Sequence, residues 1–387
     1  MPAKRGVMPQ DATASNVVVI GGGAIGLSVA WRAAQRGHSV CVLERGELGA
    51  GASHVAAGML APVTEADAGE LALLELGLRS ARAWPAFADE LAAASGADPG
   101  LRRCGALVVA RDGDEAAALE RELALRLELG LDVERLLPSA ARRLEPALAP
   151  TLRLALAVPG DHAADPRALV LALAGAARAA GVQLRTATTV NGVRVEHGRV
   201  TGVELRGGEV LAAREVVVAA GAWSGALTGL APIALRPVKG QIMRLRDPEG
   251  PGLLERIVRF EGGYLVPRGD GRYVLGATME ERGFDTTVTA GGLYELLRDA
   301  GELVPGIHEL VVEETAAGLR PATPDNAPLL GRAQDVAGLV WATGHHRNGI
   351  LLAPVTAEIV AGVLDGDAAP AAFAPGRFAR ARAGAAA

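Results

Sequence analysis

Six residues near the start of the chain have the types and the spacing of a phosphate-binding turn. Residues 21–26 read Gly-Gly-Gly-Ala-Ile-Gly, a G-x-G-x-x-G pattern. In that pattern Gly21 permits a tight turn, Gly23 lets the backbone approach a pyrophosphate, and Gly26 lets a helix pack closely on a strand. Further along, the carboxylate of Glu44 can accept hydrogen bonds from a ribose diol. These residues predict a dinucleotide-binding site.

The elements around this turn must position it. Residues 16–20 form a β-branched run typical of a buried parallel strand, residues 27–36 have helical spacing, and residues 39–43 form a second buried strand. Strand, helix and strand in this order are a βαβ unit, which is the context that the glycine pattern requires. The unit leaves the choice between NAD and FAD open.

The rest of the chain predicts a second domain. Helical spacing recurs over residues 71–94 and 114–129, whereas residues 237–277 alternate short strands in an antiparallel manner. Residues 339–342 then read as a buried strand and 354–364 as a closing helix. Because nucleotide-binding character returns at the end, we predict an α/β fold. In it a Rossmann-like domain is interleaved with a smaller α+β domain built on an antiparallel sheet.

The composition narrows the class of protein. Its 39 Lys and Arg against 44 Asp and Glu give a formal charge of −5, and no basic run could follow a phosphate backbone, so we expect no nucleic-acid partner. Cys41 and Cys104 form no C-x-x-C pair and predict reduced thiols in a cytoplasmic protein. Residues 1–15 lack a signal-peptide core, and no stretch reaches the roughly 18 apolar residues of a membrane span.

Four further segments resemble the D-amino-acid-oxidase family of flavoproteins, most closely its glycine oxidases of thiamine biosynthesis. They are residues 51–62 (GASHVAAGMLAP), 216–224 (VVVAAGAWS), 318–325 (GLRPATPD) and 344–354 (GHHRNGILLAP). The resemblance extends from residue 17 to residue 364 and favours FAD over NAD. It implies an FAD-binding domain at 16–80, 151–230 and 321–366, a substrate domain at 81–150 and 231–320, and tails at 1–15 and 367–387.

The resemblance also implies which residues hold FAD. Binding is expected to be non-covalent. The implied contacts fall on Gly21, Gly23, Ala24, Ile25, Gly26, Glu44, Arg45, Ala52, Ser53, Ala57, Gly58, Met59, Val190, Gly221, His345, His346, Arg347, Asn348, Gly349, Ile350 and Leu351.

Four residues are implied at the substrate. Arg320 would bind its carboxylate, for which a forked guanidinium is well shaped, and Tyr264 could donate a second hydrogen bond. Without the family, Arg320 also reads as a surface residue beside a loop proline, and Tyr264 as a strand-packing aromatic. Met279 favours pocket packing over chemistry. Arg347 fits substrate contact and anchoring of the loop over the flavin equally well.

Two residues depart from the family pattern. Members commonly carry His two positions before the tyrosine, where this chain has Gly262, and this puts a strict preference for glycine as substrate in doubt. His346 stands where Phe or Tyr is common, which could change packing beside the flavin. The adjacent His345 and His346 have no other ligand at metal-site spacing, so no metal is expected.

The implied activity is oxidative deamination of glycine to imine and glyoxylate, with ammonia and hydrogen peroxide, by hydride transfer from Cα to flavin N5. The resemblance further implies O2 as electron acceptor, a functional link to thiazole synthase and a homotetramer. The nearest alternative is a D-amino-acid or sarcosine-type oxidase or dehydrogenase. An FAD-dependent tRNA-modifying enzyme is disfavoured by the negative charge, and a non-catalytic flavin module by the presence of Arg320 and Tyr264.

Overall fold

The computed structural model describes residues 16–378, so the predicted tail at 1–15 and the last residues of the one at 367–387 lie outside the described residues. The strands are β1 (Val17–Ile20), β2 (Val40–Leu43), β3 (Met59–Leu60), β4 (Leu101–Arg102), β5 (Ala106–Ala110), β6 (Glu134–Leu136), β7 (Leu154–Val158), β8 (His162–Ala164), β9 (Gln183–Arg185), β10 (Val190–Glu196), β11 (Arg199–Leu205), β12 (Val210–Ala212), β13 (Glu215–Val218), β14 (Arg236–Arg246), β15 (Ile257–Phe260), β16 (Gly263–Pro267), β17 (Arg272–Gly276), β18 (Val311–Ala322), β19 (Leu329–Arg332) and β20 (Leu339–Thr343). The helices are α1 (Ala24–Gln35), α2 (Ala52–Val55), α3 (Leu71–Ser95), α4 (Gly113–Glu128), α5 (Pro138–Leu144), α6 (Pro166–Ala179), α7 (Ala290–Leu303) and α8 (Ala353–Asp365).

A six-stranded sheet forms the Rossmann-like part of the molecule. Its strand order is β19-β20-β13-β1-β2-β9, and all neighbours are parallel except β19 and β20. Every residue of β1 and β2 is buried, as their β-branched runs predict, because the sheet is covered on both faces. Helices α1, α3, α6 and α8 pack on one face, and a three-stranded sheet of β10, β11 and β12 covers the other. The predicted fold class is confirmed.

A second sheet has eight strands in the order β18-β14-β17-β16-β15-β5-β7-β6. Its neighbours are antiparallel apart from the pair β15 and β5. Helix α7 packs on one face through Leu296, Ala300 and Leu303. The opposite face, near the carboxyl ends of the first sheet, forms the floor of a large cavity.

Helix α3 and strand β7 do not follow the predicted domain boundaries, which stay predictions. Helix α3 runs without a break through the proposed boundary at 80/81. Its Phe87 stacks edge-on against Trp31 of α1, with the ring centroids 5.7 Å apart, and so belongs to the core of the first sheet. Strand β7, which the predicted boundaries assign to the FAD-binding part, instead pairs with β5 in the second sheet. We therefore propose to move these boundaries to residues 95 and 158.

No helix within residues 16–378 combines the length and the apolar character needed to cross a membrane.

Replacing Gly26 by alanine should destabilise the fold. A Cβ at this position would lie 1.9 Å from the carbonyl oxygen of Gly21, so α1 would have to move away from the end of β1. We expect a loss of about 1–3 kcal/mol in the free energy of unfolding, the usual cost of overpacking. Chemical denaturation measures it. Gly113→Ala is the control, because nothing lies within 4 Å of its Cβ position, and equal stability of the two variants would contradict the packing role of Gly26.

Candidate active site

One cavity of about 1280 Å³ collects nearly all of the predicted site residues. It extends from the carboxyl edge of the six-stranded sheet to the face of the eight-stranded one. All four predicted substrate residues line it, as do most of the predicted cofactor residues. The predicted contacts outside the lining are Gly26, Asn348 and Leu351. Gly26 serves helix packing, and the carbonyl of Leu351 accepts hydrogen bonds from Ser80 and Trp84 of α3.

The glycine turn brings backbone close to backbone at the first end of the cavity. Gly21 has a φ of +112°, and a Cβ there would lie 2.4 Å from the carbonyl oxygen of Ala219. Its N–H donates to the carbonyl of Leu43 at 2.8 Å. The turn therefore needs glycine both for its backbone conformation and for the close approach to the end of β13.

Glu44 braces this turn. Its carboxylate accepts hydrogen bonds from the N–H of Gly22 at 2.8 Å and of Gly46 at 3.0 Å, and it also lines the cavity. A carboxylate fixed by two backbone amides is pre-positioned at the cavity wall, where a ribose hydroxyl could donate to its remaining lone pairs. The ribose contact predicted for Glu44 stays a prediction.

The N-terminus of α1 is capped from a distant segment. The N–H of Ala24 donates to Oγ of Ser53 at 3.0 Å, and Gly23 at the cap position supplies no side chain. Since the Ser53 hydroxyl already accepts from the helix, its own hydrogen is free to point to an anion at the helix end. A helix N-terminus with unpaired amides is a suitable place for a pyrophosphate.

An aromatic stack lies beside the glycine-turn end of the cavity, and it was not predicted from the sequence. The guanidinium of Arg45 lies 3.7 Å from the centroid of the Trp223 ring, and the ring centroids of Trp223 and Phe284 lie 5.8 Å apart. Trp223 and Arg45 both line the cavity. Trp223 stands in the segment 216–224, and with 3% aromatic residues in the chain it was a position that merited attention.

Arg320 lies on β18, not on a loop. Its Nη1 donates to the carbonyls of Lys239 at 3.3 Å and of Thr278 at 3.1 Å. The guanidinium lies flat on Gly240, where a Cβ would be 2.4 Å from both terminal nitrogens. Gly240 on β14 is thus a further site residue that sequence reasoning missed, because its partner is 80 residues away in the chain.

Tyr264 lies beside Arg320 on the floor of the cavity. Burial raises the pKa of its phenol, and the neighbouring Arg320 cation offsets part of that rise. The ring leans over β17, since a Cβ at Gly276 would lie 2.8 Å from the Tyr264 hydroxyl. The phenol therefore stays protonated at neutral pH and can donate a hydrogen bond to an anion. Met279 is 65% exposed and stands at the cavity rim.

Arg347 is held by two carboxylates. Its Nε lies 3.2 Å from Glu65 and its Nη2 lies 3.3 Å from Glu70. The segment that carries Glu65 is itself fixed, because buried Asp161 accepts from the N–H groups of Val63 and Thr64. Anchoring of the loop is the role that these contacts support. Glu65 lines the cavity and is another residue that sequence reasoning missed.

The two adjacent histidines point to different surroundings. His345 shares a 3.0 Å hydrogen bond with Thr356, and burial lowers its pKa to about 3. His346 is 9% exposed, lines the cavity and has no partner for either ring nitrogen. Burial and nearby guanidinium groups, chiefly that of Arg347, lower the pKa of His346 to about 3. Within residues 16–378 no cluster of three potential metal ligands occurs.

The residues present fit the predicted dinucleotide. At one end of the cavity, a bare glycine turn and a helix N-terminus suit a pyrophosphate. In its wall, the two unpaired buried nitrogens of His346 require a polar ligand to satisfy them. At the other end, Arg320 and Tyr264 suit a small carboxylate. The arrangement can hold a cofactor and an anionic substrate in one chamber.

Comparisons with known proteins agree with this geometry. A family model described as FAD dependent oxidoreductase (DAO) matches residues 16–363. A glycine oxidase of Geobacillus kaustophilus is 38% identical over 355 residues, which are 90% of this chain and 93% of that protein. A crystal structure of glycine oxidase from Geobacillus kaustophilus superposes with a TM-score of 0.88 and 36% identity, covering 95% of this chain and 99% of that one. A bifunctional protein ThiO/ThiG of Trichormus variabilis is 37% identical over 89% of this chain and 52% of its own length.

Replacing His346 by phenylalanine should stabilise the flavin-free protein in acid. The pKa of His346 is about 3 in the folded protein and about 6.5 in the unfolded chain, so the unfolded chain binds more protons as the pH falls below 6.5. His346 therefore lowers the free energy of unfolding in this pH range. Between pH 7 and pH 5 the variant should therefore lose about 2 kcal/mol less unfolding free energy than the parent. Denaturant titrations at the two pH values measure this, and parallel losses would show that His346 is not buried as a neutral group.

Proposed function

This chain belongs to the DAO family of FAD-dependent oxidoreductases, and from that premise we propose that it deaminates glycine oxidatively. The products would be imine and glyoxylate with ammonia and hydrogen peroxide. The observation that carries the proposal is the pairing of Arg320 and Tyr264 at the end of the cavity opposite the glycine turn. That pairing supports a carboxylate-binding site at which a small amino acid would meet the reactive end of a bound FAD.

FAD, when bound, supplies the acceptor for the hydride that leaves the substrate Cα. It would be held by the glycine turn, the N-terminus of α1, Glu44 and the loop at 344–352. The chain's own contribution is orientation. The fork of Arg320 fixes the plane of the substrate carboxylate, and the protonated Tyr264 donates a further hydrogen bond to it. Each bond removes a rotation, so Cα is held facing the cofactor.

The protein takes little part in proton transfer. His346 is neutral at working pH because of its low pKa, and Tyr264 keeps its proton because of its raised pKa. Neither group is tuned as a general base near neutrality. We therefore propose that the substrate amine reacts in its neutral form, and that the pH dependence of the reaction follows the amine.

A second candidate is a D-amino-acid or sarcosine-type substrate. It is supported by Gly262, which lines the cavity and whose nearest neighbour to an added Cβ, Asp299, is 3.6 Å away. The space beside it could take a substituent on the substrate carbon or nitrogen.

Further proposals concern the setting of the reaction. We propose O2 as electron acceptor. We also propose transfer of the imine to a thiazole synthase, and the names of the bifunctional ThiO/ThiG relatives support this second proposal. A homotetramer is proposed from the family resemblance alone, and a cytoplasmic location from the two cysteines, which are predicted to be reduced.

One experiment tests the proposed function. The purified protein is examined for a flavin spectrum, and hydrogen peroxide is measured with glycine, sarcosine, D-alanine and D-proline. Peroxide release with glycine supports the main proposal, and release only with the other amines supports the second candidate. A colourless protein that rebinds no FAD, or one inert toward every amine, overturns both.

Arg320→Lys should raise KM for glycine by about 30- to 100-fold, because one point charge replaces a two-pronged pair of hydrogen bonds. The flavin content should match the parent, since Arg320 lies at the substrate end. Steady-state kinetics gives KM, and a parent-like KM with full flavin loading would remove Arg320 from the binding site.

Gly240→Ala should displace the guanidinium of Arg320 without changing the arginine itself. The added methyl occupies the space on which the guanidinium of Arg320 rests, so Arg320 must tilt away from its two carbonyl partners. We expect KM for glycine to rise about tenfold, corresponding to roughly one lost charge-assisted hydrogen bond. In the double variant with Arg320→Lys, the increase in KM should be smaller than the product of the two single-variant increases. An increase equal to that product would show that Gly240 acts elsewhere.

A further inference from the structure

A second arginine stands on the cavity floor on the other side of Tyr264. Arg259 on β15 is the cross-strand partner of Tyr264 on β16. Its neighbours Val258 and Phe260 point into the core beneath the sheet, together with Leu265. Since side chains alternate between the two faces of a strand, Arg259 shares the cavity face with Tyr264, and it lines the cavity.

The guanidinium of Arg259 has no protein partner in the part of the chain that the structure describes. No hydrogen bond and no ion pair within residues 16–378 reaches it, although it is half-buried. The arginines on either side differ in this respect, because Arg256 pairs with Glu145 and Arg268 faces Asp165. A half-buried cation that no carboxylate balances attracts an anion.

The acids that share this part of the cavity are paired with arginines or stand at its rim. Asp299 is balanced through its Oδ1, which lies 3.3 Å from Arg111 and 2.8 Å from Arg298, while its Oδ2 lies 3.6 Å from the Cβ position of Gly262. Glu65 is paired with Arg347. Glu295 is exposed. The described residues thus leave two guanidinium groups, Arg320 and Arg259, on either side of the Tyr264 ring.

Space for a ligand exists next to Arg259. Gly262 follows in the turn between β15 and β16 with a φ of +84°, and it presents no side chain to the cavity. Tyr264 leans away from Arg259 over Gly276. In the strand order β18-β14-β17-β16-β15, a substituent that extends past the ring from a substrate held by Arg320 would point toward Arg259.

We propose that Arg259 and Gly262 form a second acid-binding subsite, and that the preferred substrates are amino acids with two acidic groups. This rests on the proposed function, in which Arg320 takes the α-carboxylate. A second carboxylate, on the side chain or on the nitrogen substituent, then pairs with Arg259. The reaction at Cα is the same as for glycine, and the subsite changes only which amine is held.

Ligand binding tests the subsite without catalysis. Two unreactive acids of equal length, glutarate and pentanoate, are titrated into the flavin-loaded enzyme, and the shift of flavin absorbance gives Kd. The parent should bind glutarate about tenfold more tightly than pentanoate, as expected for one added charge-assisted pair. Arg259→Gln should abolish that preference, Arg259→Lys should keep part of it, and Arg143→Gln, which removes an exposed charge on α5, should keep all of it. Equal Kd values for the two acids in the parent overturn the proposal.

Turnover separates this proposal from the proposed function. The ratio of kcat/KM for D-glutamate, D-aspartate or iminodiacetate to that for glycine should fall about tenfold or more in Arg259→Gln. If glycine is oxidised but no diacid is bound or oxidised, the subsite is wrong and the proposed function stands. If no amine is oxidised but glutarate binding depends on Arg259, the proposed function fails and the subsite stands.

Discussion

The approach of backbone to backbone at the end of β1 is the constraint on which the rest of the structure depends. The turn at Gly21 rests on the carbonyl of Ala219, and Gly26 rests on the carbonyl of Gly21, so neither position has room for a Cβ. Three chain segments consequently meet without side chains between them, and the N-terminus of α1 lies at the cavity wall. Glu44 and Ser53 then stabilise this arrangement from the side, through the backbone amides of Gly22 and Ala24.

At the opposite end of the cavity, charged side chains define the site instead of close contacts between backbone segments. Most of its ionic groups in the described residues are already balanced, as Arg347 is by Glu65 and Glu70. Arg320 is different, because carbonyl groups orient it without neutralising it. A chamber with backbone amides and the Glu44 carboxylate at one end and the oriented Arg320 cation at the other distinguishes the two ends of whatever it binds. Polarity of this kind is what brings a cofactor and a substrate together in one orientation.

Local patterns in the sequence predicted the elements that depend on local patterns. The βαβ unit from β1 to β2 is confirmed because its signal, a β-branched run before a glycine turn, is contained in neighbouring residues. Strand β18 was missed since its first half is exposed and acidic and its Pro321 suggested a loop. Only its pairing with β14, far away in the chain, makes it a strand. Gly240, Glu65 and the unpaired state of Arg259 were equally out of reach, because each depends on a partner that the fold supplies.

The strand order of the six-stranded sheet has a consequence for how the protein is made. Strand β13 lies between β1 and β20, and its residues Val216, Val217 and Val218 are fully buried only when both neighbours are present. During synthesis β1 and β13 leave the ribosome long before β20. An apolar strand edge therefore stays open until residues 339–343 emerge, and it can pair with other chains in that interval. The interval between the synthesis of β13 and that of β20 is thus the period in which the nascent protein most needs a chaperone.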